Sequence, residues 1–126
     1  MKKTQYFANY FKTIYQKLDS IDSVQLEQAS SMAWETHKSS KKIIIAGNGG
    51  SAAMASHVAV DFTKAAGIRA VNFNEADLIT CFANDYGYEN WVKEALNAYA
   101  DPDDLVILIS SSGQSANIIN AAKRSS

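Results

Sequence analysis

The sequence predicts an α/β fold in which a parallel sheet lies between two layers of helices, a three-layer αβα sandwich. Two apolar runs, residues 43–45 and 105–109, are typical of buried strands because β-branched side chains pack well on a pleated surface. Each run is followed by a short polar loop and then by a helical pattern. Strands that alternate with helices indicate parallel pairing, with helices on both faces of the sheet.

The composition is that of an ordinary globular chain of 126 residues, 47% apolar and 20% charged. Twelve basic and thirteen acidic residues give a net charge of −1 without a basic cluster, so no nucleic-acid partner is expected. No apolar run has the length of a membrane span or the place of a signal peptide. The single cysteine, Cys81, fits a cytoplasmic protein, and we expect it to be a small buried hydrophobe.

Two helices are predicted before the first strand. Residues 3–19 carry an apolar stripe at helical spacing, which consists of Phe7, Tyr10, Phe11, Ile14, Tyr15 and Leu18. So aromatic a stripe needs a partner, either the rest of this domain or another subunit. A second helix over 24–39 is expected to turn apolar side chains to the core, namely Leu26, Ala29, Met32, Ala33 and Trp34. We therefore predict one domain, 1–126, with N-terminal helices over 1–40 and a sheet-containing core over 41–126.

The first predicted strand runs into a glycine-rich turn. Gly47, Gly49 and Gly50 let the backbone turn tightly, and Ser51 is expected to cap a helix over 52–66. This arrangement places free N–H groups and the positive end of a helix dipole at one point, which typically binds phosphate. The glycine spacing also fits the dinucleotide fingerprint G-x-G-x-x-A, so the first loop alone leaves the ligand open.

The second polar loop favours a sugar phosphate over a dinucleotide. Four hydroxyls surround Gly113 at the start of a helix, those of Ser110, Ser111, Ser112 and Ser115. Such hydroxyls can donate hydrogen bonds to phosphate oxygens, and a dinucleotide fold does not need a second anion site of this kind. Both loops leave the carboxyl ends of parallel strands, where open α/β sheets bind ligands. The following helix is expected to turn Ile118, Ile119 and Ala122 inward.

The segment between the two loops predicts a short strand over 69–73 and two helices. Asn74 is expected to cap the first of these helices, and residues 83–87 are expected to form a loop. The second helix, over 88–99, has a regular apolar stripe. Residues 101–104 contain the only proline and predict a turn before the last strand.

Four motifs in this order resemble the sugar isomerase (SIS) domain of bacterial phosphoheptose isomerases, which has a flavodoxin-like fold. They are Gly47-Asn48-Gly49-Gly50-Ser51, His57, Asn84-Asp85-Tyr86-Gly87, and Ser110-Ser111-Ser112-Gly113-Gln114-Ser115-Ala116-Asn117. The resemblance implies a homo-oligomeric (dimer or tetramer) isomerase. It would convert sedoheptulose 7-phosphate to D-glycero-D-manno-heptose 7-phosphate for surface polysaccharide (lipopolysaccharide) biosynthesis. The alternative is a non-catalytic SIS module that binds a sugar phosphate or regulates a partner.

The resemblance also implies roles for individual residues. Substrate or phosphate binding would fall to Asn48, Gly49, Ser51, Asn84, Asp85, Ser110, Ser111, Ser112 and Ser115. His57 and Asp61 have a spacing of i, i+4, which suits two ligands of one metal, a carboxylate that orients an imidazole, or a plain surface pair. By resemblance, both are candidate catalytic residues and candidate ligands of a divalent metal, zinc.

The chain departs from this family in three places. Asp61 stands where the family has a glutamate and is one methylene shorter, which weakens its fit to proton transfer. Ser111 and Gln114 replace the Thr and Asn that the family often has. The third departure is that the family takes a histidine and a glutamine for its catalytic site from a later helix, and residues 1–126 supply no counterpart of these two side chains. We therefore expect residues 1–126 alone to bind a sugar phosphate with little turnover.

Overall fold

The computed structural model describes residues 3–126, which form six helices and a three-stranded sheet. The helices are α1 (Lys3–Asp19), α2 (Ser23–Lys38), α3 (Gly50–Lys64), α4 (Ala76–Tyr86), α5 (Trp91–Tyr99) and α6 (Ala116–Ser125). The strands are β1 (Ile43–Gly47), β2 (Ala70–Asn72) and β3 (Leu105–Ile109). Within residues 3–126, no helix combines the length and apolar character needed to cross a bilayer.

The chain divides into two compact units, and the boundary falls inside α2. The described part of the first unit, residues 3–31, contains α1 and the first half of α2. The second unit, residues 32–126, contains the sheet and the remaining helices. The sequence-based division at residue 40 stays a prediction.

Helix α1 forms over the predicted residues, but none of its described residues is buried. Neighbouring aromatic rings on the helix contact one another instead. Tyr6 stacks on Tyr10 with ring centroids 6.3 Å apart, and Tyr10 lies against Phe11 at 6.0 Å. The predicted apolar stripe is therefore present and exposed.

Helix α2 begins after Asp22, whose carboxylate accepts a hydrogen bond from the Val24 N–H at 2.9 Å. This bond satisfies one of the free donors at the helix start, as predicted. The prediction that five apolar side chains of α2 turn to the core is mostly wrong. Four of the five are exposed, those of Leu26, Ala29, Met32 and Trp34. Ala33 is buried as predicted, and Thr36, one turn later, is buried with it.

The sheet of the second unit is parallel, with strand order β2-β1-β3. The central strand β1 is buried along its whole length because it has a neighbour on each side. The register pairs Ile43 with both Ala70 and Leu105, and it pairs Gly47 with Ile109. The ends of β1 and β3 that precede their polar loops are therefore level.

Helices cover both faces of the sheet, which confirms the predicted α/β layers. On one face, Ile44 and Ala46 pack with buried side chains of α5 and α6. On the other face, Ile43 and Ile45 pack with two buried alanines of α3. Because alanine side chains are small, α3 lies close to the sheet, and the loop at its N-terminus is held firmly.

The segment around residue 85 differs from the prediction. Helix α4 continues to Tyr86, so Asn84 and Asp85 lie in its last turn and not in a loop. The helix ends at Gly87, which has φ +83° and donates its N–H to the Ala83 carbonyl at 3.0 Å. A glycine in the left-handed region is a common helix end. Helix α5 then begins only at Trp91.

Three further local predictions are wrong. Asn74 does not cap α4, because its amide donates to the Ala52 carbonyl at 2.8 Å and to Ser56 Oγ at 2.6 Å. In α6 the buried alanine is Ala121 and not Ala122. Cys81 is exposed and not part of the core.

An ion pair fixes the start of β1 against the start of β3. The Asp104 carboxylate accepts hydrogen bonds from the Lys42 N–H at 3.0 Å and the Asp101 N–H at 2.8 Å. The Lys42 ammonium lies 2.6 Å from Asp104 Oδ2, and the Asp104 side chain is only 2% exposed. Burial opposes ionisation, but these hydrogen bonds together outweigh it and hold the pKa of Asp104 below its ordinary value of 3.8.

We predict that Asp104→Asn lowers the free energy of unfolding by roughly 1–3 kcal/mol at neutral pH, the scale of a lost buried hydrogen bond to a charged group. Because the folded-state pKa of Asp104 is depressed, its contribution is full above pH 3.8 and is lost as pH falls below that value. Urea unfolding at several pH values should show the gap between wild type and variant closing in acid. Asp103→Asn, at the exposed neighbouring carboxylate, is the matched control and should change little. A gap that persists unchanged in acid would contradict this role.

Candidate functional site

The candidate site lies where β1 and β3 end, at the carboxyl edge of the sheet. Gly47 and Ile109 are paired in the register, so the glycine turn and the serine loop leave the sheet side by side. Each loop leads directly into a helix, α3 or α6. The site therefore has two helix N-termini, each of which carries free N–H groups and a partial positive charge.

The glycine turn depends on close approach of backbone. A Cβ atom on Gly47 would lie 2.7 Å from Ser51 Cβ and 2.8 Å from the Ser51 carbonyl oxygen, which no real side chain tolerates. Gly49 has φ +54° and caps α3, which begins at Gly50. The prediction that Ser51 caps a helix from residue 52 is therefore wrong: Ser51 lies in the first turn of α3.

The serine loop is shaped by its own hydroxyls. Ser110 Oγ accepts a hydrogen bond from the Gly113 N–H, and Ser112 Oγ accepts one from the Gln114 N–H, both at 3.1 Å. Because both hydroxyl oxygens act as acceptors in these bonds, each serine can still donate its hydroxyl proton to a ligand. Ser115 precedes α6, and its side chain makes no capping hydrogen bond to the helix.

The two loops enclose a small pocket of about 110 Å³. Its lining consists of Asn48, Ser51, Ile109, Ser110, Ser111, Ser112 and Ser115. Six of the nine residues that the sequence suggests for substrate binding thus meet in one place. The lining side chains are neutral and mostly hydrogen-bond donors, which suits an anion that must enter and leave.

A pair of amides joins the two loops behind this pocket. Asn48 Nδ2 donates to Asn117 Oδ1 at 2.9 Å, and Asn117 Nδ2 donates to Asn48 Oδ1 at 2.8 Å. Asn117 lies in the first turn of α6 and is 2% exposed. The Tyr88 hydroxyl also donates to Asn48 Oδ1, at 3.2 Å.

Sequence reasoning missed Asn117 and Tyr88 as site residues. The available signal for Asn117 was its place in the first turn of the predicted helix, directly after the serine loop. No local pattern shows that its partner is 69 residues away. The predicted helix over 88–99 would include Tyr88, but Tyr88 precedes α5 and is exposed.

His57 and Asp61 lie on α3 beyond the pocket and do not line it. Their side chains are 3.5 Å apart, from His57 Nε2 to Asp61 Oδ2, and are 79% and 62% exposed. Over residues 3–126, no group of three or more His, Cys, Asp or Glu side chains is placed to hold a metal ion. Two ligands are too few for the tetrahedral shell that zinc prefers, so these residues by themselves do not fit a zinc site.

The remaining predicted site residues also lie outside the pocket lining. Asn84 donates to the neighbouring Asp85 Oδ1 at 2.9 Å, and Cys81 Sγ lies 3.7 Å from Asp85 Oδ2. Both Asn84 and Asp85 are exposed on the last turn of α4. Gly49 supplies the turn in front of α3 but no lining side chain. Their roles toward a substrate stay predictions.

A parallel sheet between helices, with a polar pocket at the strand ends, defines an α/β domain of the ligand-binding type. The chain belongs to the SIS domain family, whose profile matches residues 5–126. The predicted family is therefore confirmed.

Curated relatives in this family carry the name phosphoheptose isomerase. The protein from Aliarcobacter butzleri (strain RM4018) is 37% identical over 123 residues, which cover 93% of this chain and 65% of the relative. The protein from Helicobacter pylori (strain P12) is 32% identical over 124 residues, which cover 94% of this chain and 64% of the relative. The chain thus spans slightly less than two thirds of the length of these relatives.

Solved structures agree with the fold. Phosphoheptose isomerase GmhA from Neisseria gonorrhoeae superposes with a TM-score of 0.88 at 30% identity, over 99% of this chain and 69% of that one. A phosphoheptose isomerase from Francisella tularensis gives a TM-score of 0.87 over the same shares, but at 22% identity it supports the fold alone.

We predict that Gly47→Ala destabilises the domain by roughly 1–3 kcal/mol, the usual cost of overpacking, because the new methyl group meets backbone atoms of Ser51. Chemical denaturation is the measurement. Gly50→Ala is the matched control, since a Cβ there meets nothing within 4 Å. Equal stability of the Gly47 variant and wild type would show that the turn does not depend on this close approach.

Proposed function

We propose that the pocket between the glycine turn and the serine loop binds the phosphate group of a sugar phosphate. The observation that carries this proposal is the meeting of Asn48, Ser51 and four loop serines at two helix N-termini. Hydroxyl and amide donors together with two helix dipoles favour a phosphate dianion. The names of the relatives fit the same ligand class.

We further propose that the protein acts as a phosphosugar isomerase. The expected substrate is sedoheptulose 7-phosphate and the product is D-glycero-D-manno-heptose 7-phosphate, a precursor of surface polysaccharide. Similarity to phosphoheptose isomerases over nearly the whole chain supports this activity. A sugar-phosphate substrate and a lone exposed cysteine fit a reaction in the reducing cytoplasm.

Aldose–ketose exchange moves a proton between adjacent carbons, so an acid or base must come within hydrogen-bond reach of the substrate. The pocket lining contains only serine, asparagine and isoleucine side chains. The nearest candidates on α3 are His57 and Asp61, and His57 lies six residues beyond Ser51, about 9 Å along the helix axis. We propose this pair as the acid–base group; as a zinc site it would be incomplete, because it supplies at most two of the four ligands that zinc prefers.

The second candidate function is a sugar-phosphate-binding module without catalysis. Two observations favour it: the lining offers no acid–base side chain, and residues 3–126 present no three-ligand metal group. Both candidates use the same phosphate pocket and differ only in turnover.

We predict that Ser115→Ala weakens sugar-phosphate binding by roughly 1–3 kcal/mol, the scale of a lost hydrogen bond to a charged group. Ser115 is chosen because its side chain makes no capping bond that the substitution would remove. Calorimetry with sedoheptulose 7-phosphate is the measurement. Ser39→Ala, at an exposed serine before the start of β1 and thus at the end of that strand opposite the pocket, should bind like wild type. Unchanged affinity in the Ser115 variant would remove this hydroxyl from the site.

Hydrogen exchange at the substrate carbons separates the two candidate functions. We expect slow exchange in residues 1–126, and a further decrease of about 10²–10⁴-fold in His57→Ala or Asp61→Asn, the usual cost of losing a general acid or base. Proton NMR in deuterated water reports the exchange, and Asp77→Asn is the control at another exposed helical carboxylate. Binding without any exchange in wild type would favour the binding module, and exchange unchanged in both variants would contradict the assigned roles.

We also propose that the chain self-associates through α1. Seven large apolar side chains on this helix are exposed, those of Tyr6, Phe7, Tyr10, Phe11, Ile14, Tyr15 and Leu18. A contiguous apolar surface of this kind is typical of an interface, and a second copy of the same helix offers a complementary one.

Light scattering at micromolar concentration should show a dimer or larger species, which Phe7→Glu/Phe11→Glu converts to monomer. The two new charges would have to be buried without partners in the interface. Gln5→Glu/Gln16→Glu places two equal charges on the other face of α1 and should leave the assembly intact. A monomeric wild type would show that the stripe has no such partner.

A further inference from the structure

Asn48 is the only amide that lines the pocket within the described part of the chain, and its orientation decides what it offers a ligand. A primary amide carries two N–H donors and an oxygen that accepts two hydrogen bonds. An asparagine without fixed partners turns readily about its last side-chain torsion, because that torsion has a broad and roughly two-fold profile. In one orientation it presents an N–H to an anion, and in the other it presents an oxygen that repels the anion.

The hydrogen bonds of Asn48 leave a single free donor. Its oxygen already accepts two bonds, one from Asn117 Nδ2 and one from the Tyr88 hydroxyl. Its nitrogen uses one N–H on Asn117 Oδ1 and keeps the second. Neither Asn117 nor Tyr88 lines the pocket, so both act on Asn48 from outside it.

We propose that Asn117 and Tyr88 are positioning residues that hold the Asn48 amide with its free N–H available to the phosphate. This inference rests on the phosphate site proposed above. Asn117 is suited to the task because it is 2% exposed, and a buried amide that loses its partner is costly. The pair also ties the glycine turn to the first turn of α6, so it keeps the two halves of the pocket together.

Sulfate is the probe for the first test, because this dianion does not change charge between neutral pH and about pH 5. NMR titration at neutral pH should show sulfate affinity about tenfold weaker in Asn117→Ala, the scale of one mispositioned donor to a charged group. Tyr88→Phe removes only the longer bond and should weaken affinity about two- to fivefold. Asn120→Ala and Tyr99→Phe are the matched controls. Asn120, one turn along α6, bonds the Glu89 carbonyl instead, and both controls should bind like wild type.

Asn117→Asp separates positioning from folding. The ionised carboxylate of this variant cannot donate to Asn48 Oδ1, but the protonated acid has almost the shape of the original amide and can donate again. Burial raises the pKa of such a carboxyl, so sulfate affinity should be low at neutral pH and recover at about pH 5. Tyr88 is the one titratable side chain that the described structure bonds to this pair. The sulfate affinity of Asn117→Ala should stay low at about pH 5, and that of Asn120→Asp should equal the wild-type affinity at both pH values.

A double-mutant cycle completes the test. If Asn117 acts through Asn48, then Asn117→Ala should add no further loss of sulfate affinity in an Asn48→Ala background. Folded Asn117 variants that bind sulfate like wild type, or a full tenfold loss in the Asn48→Ala background, would overturn the inference and leave the proposed function standing. A wild type that binds neither sulfate nor phosphate would overturn the proposed function and this inference with it.

Discussion

The parallel pairing of β1 with β3 is the constraint on which the candidate site depends. It sets Gly47 level with Ile109, so two loops that are more than sixty residues apart in sequence leave the sheet together. Neither loop forms the pocket alone, since its lining comes from both. At the opposite ends of the same strands, the buried Asp104 carboxylate binds Lys42 and holds the register. The ion pair and the pocket thus lie at opposite ends of the same pair of strands, β1 and β3.

The pocket combines rigid positioning with neutral donors. Gly47 lets the end of β1 pass directly under the first turn of α3, and the Asn48–Asn117 pair ties that turn to α6. A donor that is fixed in advance loses little ordering entropy when a ligand binds. Because the lining carries no formal charge, attraction of an anion depends on hydrogen bonds and helix dipoles, which act over short range. This suits a ligand that has to be released.

The layers, strands and pocket serines could be predicted because they follow from local patterns. Uninterrupted apolar runs gave β1 and β3, and a polar loop directly after each run gave both halves of the pocket. The errors arose where a glycine or a distant partner decides the structure. Gly49 caps α3 in place of Ser51, and Gly87 ends α4 only after Asn84 and Asp85 have joined it. The amide pair escaped prediction because its two members are 69 residues apart.

The most direct test of the central claim is a map of backbone amide shifts during a phosphate titration of ¹⁵N-labelled protein. We predict that the largest shifts fall on the first turns of α3 and α6 and on residues 110–115, because these segments carry or adjoin the residues that line the pocket. A second, basic groove between α5 and α6 is lined by Lys93, Lys123 and Arg124 and provides an internal comparison. Shifts confined to that groove, or absent from the two loops, would show that phosphate does not bind between the glycine turn and the serine loop.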